Sequence, residues 1–292
     1  MLAHEAKLLE GKILAAKIQE EIKNQIAAAV AKGLRAPRLT AIQVKEDPSA
    51  DWYVGQQEKL ATKLGIEFLR IRSGEINDQV RLSWEIKKAN ESGSHGIFLA
   101  MPLPQGFNPD VALWELDFKK DVEGIHPASL GLIVLRRAKL IPPTAYASLK
   151  LIEWAAKESG KELRGMKAAI LGQSAIVGRP LQLLLGERRV TTIVCNTGTS
   201  ATDLEKAVSE SDIVVACAGQ PGFVKGAWIK SGAIVIDVGT TEVNGKLVGD
   251  VEFEEAKKRA SFITPVPGGV GPLTVTMLMQ NLMNTYELQM KM

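Results

Sequence analysis

At 292 residues, 46% of them apolar and 24% charged, the chain has the make-up of an ordinary globular protein and the length for two domains with sizeable cores. Its net charge of +3 is small and scattered, which argues against a nucleic-acid partner, and no apolar run approaches the roughly 18–20 residues that a membrane span requires. The two cysteines, Cys195 and Cys217, fall at the ends of expected parallel strands without metal-ligand spacing, so neither a disulfide nor a metal is expected. The N-terminal stretch MLAHEAKLLEGKILAAKIQEEI reads as a charged amphipathic helix with no signal-peptide core, which predicts a soluble, cytoplasmic protein.

In chain order, periodicity predicts a helix over 11–32, a strand over 39–44 after Pro37, and a helix over 50–64. The last is entered through Asp47-Pro48-Ser49, whose short polar side chains suit a cap. A strand over 66–71, a helix over 78–90 and a strand over 96–99 follow. That strand stops at Met101-Pro102-Leu103-Pro104, since two prolines cannot continue a central strand. This half reads as a three-layer α/β unit ending near Pro142-Pro143-Thr144.

Beyond the junction, Lys167-Ala168-Ala169-Ile170-Leu171 is the short apolar run of a buried parallel strand. It leads into Gly172-Gln173-Ser174-Ala175-Ile176-Val177-Gly178-Arg179-Pro180 and then a helical Leu181-Gln182-Leu183-Leu184-Leu185. Strand, glycine turn and helix together present free backbone N–H groups and a helix N-terminus to a phosphate. Gly172 permits the tight turn and Gly178 a close approach of helix to strand, while Ser174 puts a hydroxyl where the usual G-x-G-x-x-G has its middle glycine. Strands over 190–194, 213–216 and 234–239, with a helix over 201–210, continue a doubly wound pattern. Small residues after those strands, including Ala218, Gly219, Gly239 and Thr240, leave the crevice where ligands sit in open parallel sheets. A last helix over 274–289 is expected to pack back on the first half.

These residues resemble the methylenetetrahydrofolate dehydrogenase/cyclohydrolase family. The resemblance is carried by the G-x-S-x-I-V-G-R-P turn, by Asp47-Pro48 with Tyr53 six residues later, and by the Pro102-Leu103-Pro104 corner. It is also carried by Lys120-Asp121-Val122-Glu123-Gly124-Ile125-His126-Pro127 and by the run from Thr264-Pro265-Val266-Pro267-Gly268-Gly269 to Val270-Gly271-Pro272-Leu273-Thr274. It implies an N-terminal folate-binding, catalytic α/β domain over 1–143, rejoined by a C-terminal helix over 274–292. A Rossmann-type domain over 144–273 would flank a cleft with it, and a homodimer is the family's usual assembly. Folate contacts are then expected from Tyr53, Met101, Pro102, Leu103, Glu123, Pro267, Gly268, Gly271 and Pro272. Cofactor contacts are expected from Gly172, Gln173, Ser174, Ile176, Val177, Arg179, Pro180, Thr197, Ala218, Gly219, Gly239, Thr240 and Thr274.

Four positions depart from the family pattern. The lysine one turn after Tyr53 is Gln57, the glutamine that pairs with it is Ala100, the pterin-gripping aspartate is Glu123, and the serine before the tyrosine is Ala50. Hydride transfer mainly needs two positioned reactants, because the folate nitrogens stabilise the developing cation. Hydrolysis of the methenyl product needs activated water and a moved proton, work for a lysine of lowered pKa. Gln57 has no useful basicity and Ala100 no polar side chain. The catalytic positions Tyr53, Gln57 and Ala100 therefore predict an NAD(P)-dependent dehydrogenase with cyclohydrolase activity lost.

The alternatives are a bifunctional enzyme using another base such as Lys59, a non-catalytic folate- or pterin-binding paralogue, or a dehydrogenase for another one-carbon carrier. At the cofactor end, the family's His-Ser-basic-Thr run is Asn196-Thr197-Gly198-Thr199, so the hydroxyl stays and the basic side chain goes. Arg179 remains as the candidate contact for a 2′-phosphate, and NADP stays narrowly ahead of NAD. His126 reads as structural, holding the turn before Pro127.

Overall fold

Helices and strands alternate along almost the whole chain. The first half carries β1 (Lys7–Leu8), α1 (Gly11–Ala31), β2 (Arg38–Ile42), α2 (Pro48–Leu64), β3 (Glu67–Ile71), α3 (Gln79–Glu91), β4 (Gly96–Leu99), α4 (Pro109–Glu115) and α5 (Pro127–Val134). The second carries α6 (Pro143–Glu158), β5 (Lys167–Leu171), α7 (Gly178–Glu187), β6 (Thr191–Cys195), α8 (Ala201–Ser209), β7 (Ile213–Ala216), β8 (Ile234–Asp237), β9 (Thr241–Val243), β10 (Lys246–Val248), α9 (Phe253–Lys257), β11 (Phe262–Ile263) and α10 (Val270–Met290). The structure is a computed structural model that describes residues 5–44, 48–72, 74 and 76–290, the side chain of Ser49 excepted. The expected cap residue Asp47 and the side chain of Ser49 thus lie outside the described residues. The chain divides into two units: Ala16–Pro143 with Val275–Met292, and Met1–Ala15 with Thr144–Thr274.

The unit formed by Ala16–Pro143 and Val275–Met292 has a parallel three-stranded sheet in the order β3-β2-β4. Successive strand side chains face opposite ways. Leu39, Ala41 and Phe98 accordingly join one core cluster, with Ile22 and Ile26 of α1, Val54 and Ala61 of α2, and Leu278, Leu282 and Tyr286 of α10. Ile42, Ile97 and Leu99 join the other, with Leu82 and Ile86 of α3 and Ala112 of α4. Gly96 opens β4 because a Cβ there would run into the side chains of Val122 and Leu282. Asn281 of α10 donates to the carbonyls of Val122 and Ile141, 2.8 Å each, and so ties the helix to the turn that carries Glu123.

The unit formed by Met1–Ala15 and Thr144–Thr274 has a parallel six-stranded sheet in the order β1-β11-β8-β7-β5-β6. From β5 the chain steps to one side for β6 and then to the other for β7, β8 and β11. That is the 2-1-3-4-5 order of a doubly wound fold, with its topological switch point between β5 and β7.

Helices α4, α5, α6 and α9 were not expected from the sequence, and two strand features depart from it as well. Lys7–Leu8 is an edge strand rather than helix, held by Lys7 N–H to Ser261 O at 2.9 Å and Leu9 N–H to Ile263 O at 2.8 Å. An antiparallel hairpin, β9–β10, follows β8. Its Asn244-Gly245 turn has φ of 52° and 76° at its two residues, the left-handed pair that a two-residue hairpin with this twist requires.

Candidate active site

The turn after β5 lies at the switch point. Gly172 has φ of +130°, and a Cβ on it would meet the Cys217 carbonyl; a Cβ on Gly178 would meet the Gly172 carbonyl. Both positions therefore need glycine. Gly178→Ala should overpack this contact and lower stability by about 1–3 kcal/mol, read as an earlier urea midpoint; an unchanged midpoint would contradict the close approach. The Ser174 hydroxyl accepts the Val177 N–H at 3.1 Å, so its own proton is left to donate. The N–H groups of Gln173, Ala175 and Ile176 make no hydrogen bond within the described residues. Helix α7 begins at Gly178, three residues before the expected start at Leu181, so Arg179 and Pro180 stand in its first turn.

A cavity of about 1060 Å³ opens here, lined by Gly172, Gln173, Ser174, Thr197 and Ala218 among others. Cys195, Cys217, Phe223, Lys225 and Trp228 line it too. Burial pushes the Cys217 thiol up to about 12, with Asp250 adding to the effect, so it is a neutral wall group. The Asn196 side chain accepts the Gly198 N–H at 2.8 Å, and the Thr199 hydroxyl accepts the Asn196 N–H at 3.0 Å, fixing the turn after β6. Ile176, Val177, Arg179, Pro180, Gly219, Gly239, Thr240 and Thr274 do not line this cavity. Arg179 is exposed. The Thr274 hydroxyl donates back to Val270 O at 3.2 Å within α10.

The folate candidates fall in both units. Tyr53, Gln57, Ala100, Met101, Pro102, Leu103 and Glu123 belong to the first described, and Pro267, Gly268, Gly271 and Pro272 to the second. Gly271 and Pro272 are not loop residues: they stand in the first turn of α10, which starts at Val270, four residues before the expected start. Met101-Pro102 and Val266-Pro267 are cis peptide bonds.

Helix α2 presents Tyr53 and, one turn on, Gln57. The Tyr53 hydroxyl donates to Glu123 Oε1 at 3.1 Å, and its ring meets Phe98 edge-on with centroids 6.4 Å apart. Gln57 is fully buried; its amide lies near enough to the Tyr53 hydroxyl to pull that phenol's pKa down, but neither its Oε1 nor its Nε2 completes a well-formed hydrogen bond. Such a group is costly unless something pairs with it. Ala100, buried just past β4, offers no polar atom. Lys59 is exposed, about 200° round the helix from Gln57.

Glu123 sits on a turn that Gly124 permits with φ of +61°. Burial, and the neighbouring Asp121 charge, push the Glu123 carboxyl up to about 8, against the pull of the Tyr53 hydrogen bond. The Tyr53 phenol is likewise raised, by burial first and by Glu123 second. With its carboxyl pushed up to about 8, Glu123 keeps its proton at pH 7 and the raised Tyr53 phenol keeps its own, so this end of the site is a neutral hydrogen-bonding pair.

Several residues here escaped the sequence reading. Asp121 is fully buried, its Oδ2 accepting from the His126 N–H at 2.8 Å and the Ser129 hydroxyl at 3.0 Å, and it organises the turn that aims Glu123. His126 is structural: its Nδ1 accepts the Ala128 N–H at 2.9 Å and so caps α5. Arg70 pairs with Asp51 and donates to Gln43 at 3.1 Å, linking the ends of β2 and β3 to α2. Asp237, the last residue of β8, and Asp250, just after β10, are both buried. Among the described residues no cluster suited to a metal occurs, and no helix is long and apolar enough to cross a membrane.

Known proteins with this architecture share its sequence too. The tetrahydrofolate dehydrogenase/cyclohydrolase NAD(P)-binding domain matches residues 142–290, and the catalytic domain of the same family matches 9–123. The bifunctional protein FolD 2 of Myxococcus xanthus is 40% identical over 281 residues, 96% of this chain and 95% of its own. The bifunctional protein FolD of Geotalea daltonii is 39% identical, over 96% of this chain and 98% of its own. Among solved structures, the methylenetetrahydrofolate dehydrogenase-cyclohydrolase of Trypanosoma brucei, complexed with NADP and an inhibitor, has a TM-score of 0.91 at 35% identity, covering 99% of both chains. The bifunctional enzyme of Campylobacter jejuni has a TM-score of 0.91 at 36% identity, covering 97% of this chain and 99% of its own. With an NAD(P)-binding doubly wound sheet and a folate-family catalytic half, the chain belongs to the tetrahydrofolate dehydrogenase/cyclohydrolase family.

Proposed function

We propose that this chain is a methylenetetrahydrofolate dehydrogenase with NADP as preferred cofactor and no effective cyclohydrolase activity. The observation that carries this reading is the buried amide of Gln57, which no well-formed hydrogen bond satisfies, together with the buried, apolar Ala100 at the other substituted position. The glycine pair, the unbonded N–H groups of the Gly172–Gly178 turn and the cavity beside it suit a dinucleotide pyrophosphate. When bound, the nicotinamide supplies the hydride acceptor. The protein's part is then to position: Tyr53 offers a ring to stack, Glu123 a hydrogen-bonding carboxyl, and Gln57 a neutral donor–acceptor pair. A neutral side chain at position 57 also puts no positive charge beside a methenyl cation, so the product leaves intact for a separate hydrolase.

A fully bifunctional enzyme is the second reading. The bifunctional relatives favour it, and so does a carboxyl that titrates near neutrality at Glu123. Formation of reduced nicotinamide from methylenetetrahydrofolate, with NADP or NAD, tests the dehydrogenase; no turnover with either sinks both readings.

NADP preference has a separate test. The Trypanosoma brucei relative is complexed with NADP, yet Gly198 here supplies no cation. Arg179→Ala should raise the KM for NADP by roughly 10-fold or more, the value of one charge-assisted contact, and leave that for NAD nearly unchanged. Equal losses would show that Arg179 does not read the 2′-phosphate.

A further inference from the structure

Asp237 and Asp250 are two almost fully buried carboxylates, and among the described residues neither is paired with a basic side chain. Backbone N–H groups stand in for the missing cation. Asp237 takes three of them: Gly239 at 3.0 Å and Asp250 at 2.9 Å on Oδ1, and Val251 at 3.0 Å on Oδ2. That set already closes the ends of the β9–β10 hairpin. Asp250 Oδ2 is left for another task, and it accepts the N–H groups of Ala218 at 2.7 Å and Gly219 at 2.8 Å. These two residues form the turn after β7, on the far side of the switch point from Gly172, and Ala218 lines the cavity. The packing admits no slack. A Cβ on Gly239 would overlap Asp250 Oδ1, and a Cβ on Gly249 would overlap Asp237 Oδ2. Asp250 Oδ1 is itself buried without a partner. A buried, half-satisfied carboxylate is a costly way to hold a hairpin that Asp237 holds already.

We propose that Asp250 is a positioning residue for the dinucleotide, its carboxylate holding the Ala218–Gly219 turn open in the shape that receives the cofactor. The proposal rests on the reading of this cavity as the dinucleotide site. Gly239 then acts by making room for Asp250. A carboxylate suits the task because it is acceptor-only, so both N–H groups can converge on one oxygen.

The test is calorimetric titration of the full-length protein with NADP and NAD, alongside dehydrogenase kinetics. In Asp250→Asn, which keeps the shape and one acceptor but loses the charge, the dissociation constant for the dinucleotide should rise roughly tenfold, with the KM for the folate substrate unchanged. Unaltered dinucleotide affinity in a variant with a lowered melting temperature would show a purely structural role and overturn the proposal. Amide hydrogen exchange of the unaltered protein gives a readout that no substitution can spoil: Ala218 and Gly219 should be protected before any cofactor is added, and free-chain exchange rates there would overturn the proposal. If the unaltered protein binds neither dinucleotide, the reading of the cavity has failed, and the proposal with it.

Discussion

Gln57→Lys combined with Ala100→Gln should raise hydrolysis of methenyltetrahydrofolate by about 10²–10⁴-fold over the unaltered protein, the usual worth of a positioned general acid or base. The site is ready for such a lysine in one respect. Position 57 is fully buried, and burial disfavours a charged ammonium and lowers its pKa towards neutrality, where a base is useful. It is unready in another, because the buried Ala100 offers nothing to orient the amine. Gln57→Lys alone should therefore gain less than the pair, and Ala100→Gln alone nothing. Loss of methenyl absorbance above the buffer rate measures all three. Equal rates in the double variant and the unaltered protein would mean that these two positions do not set the hydrolytic activity.

Tetrahydrofolate binding should strengthen by roughly 50-fold between about pH 6 and about pH 8 and then level off. The sign follows from Glu123, whose carboxyl is pushed up to about 8 in the ligand-free protein. A pterin edge that presents donors is met by the carboxylate, which accepts, and not by the protonated acid, which uses one oxygen to donate. Binding then draws a proton off Glu123, and the apparent affinity rises until the free protein is itself ionised. Glu123→Gln should flatten the profile and weaken binding at high pH. Tyr53→Phe should displace the rise to higher pH, because the phenol hydrogen bond holds the Glu123 carboxyl down. Affinity falling as pH rises, measured by calorimetry in the same buffers, would show that the protonated acid is the binding form and that the ligand presents an acceptor there.

The fold was legible in the sequence wherever burial on both faces left a continuous apolar run, as at Lys167–Leu171, Ile213–Ala216 and Ile234–Asp237. The glycine turn was legible because only glycine fits where Gly178 meets the Gly172 carbonyl. Lys7–Leu8 and Phe262–Ile263 were not, since two residues carry no period; they are strands because neighbouring strands offer them hydrogen bonds. The β9–β10 hairpin does leave a signal, the Asn244-Gly245 pair, but one weaker than the continuous apolar run of β8.

Of the candidate site, the residues that would face a ligand were named from their motifs, and Tyr53 and Glu123 do meet. The groups that hold them in place were not. Asp121, Asp237 and Asp250 bond mainly to backbone N–H groups of residues drawn together by the fold, and nothing in the identity of an aspartate reveals which N–H it will find. The burial of Gln57 did leave a signal, since Tyr53, Val54, Leu60 and Ala61, three and four residues away, put it on the apolar face of α2.

The most direct measurement is a single progress curve with methylenetetrahydrofolate and NADP that follows reduced nicotinamide and methenyltetrahydrofolate together. Loss of the hydrolytic arm predicts that the two accumulate in equal amounts throughout, the methenyl compound decaying only at the rate of buffer alone. Reduced nicotinamide rising while methenyltetrahydrofolate stays low and the formyl product appears would contradict it, and would identify a bifunctional enzyme that hydrolyses without the lysine.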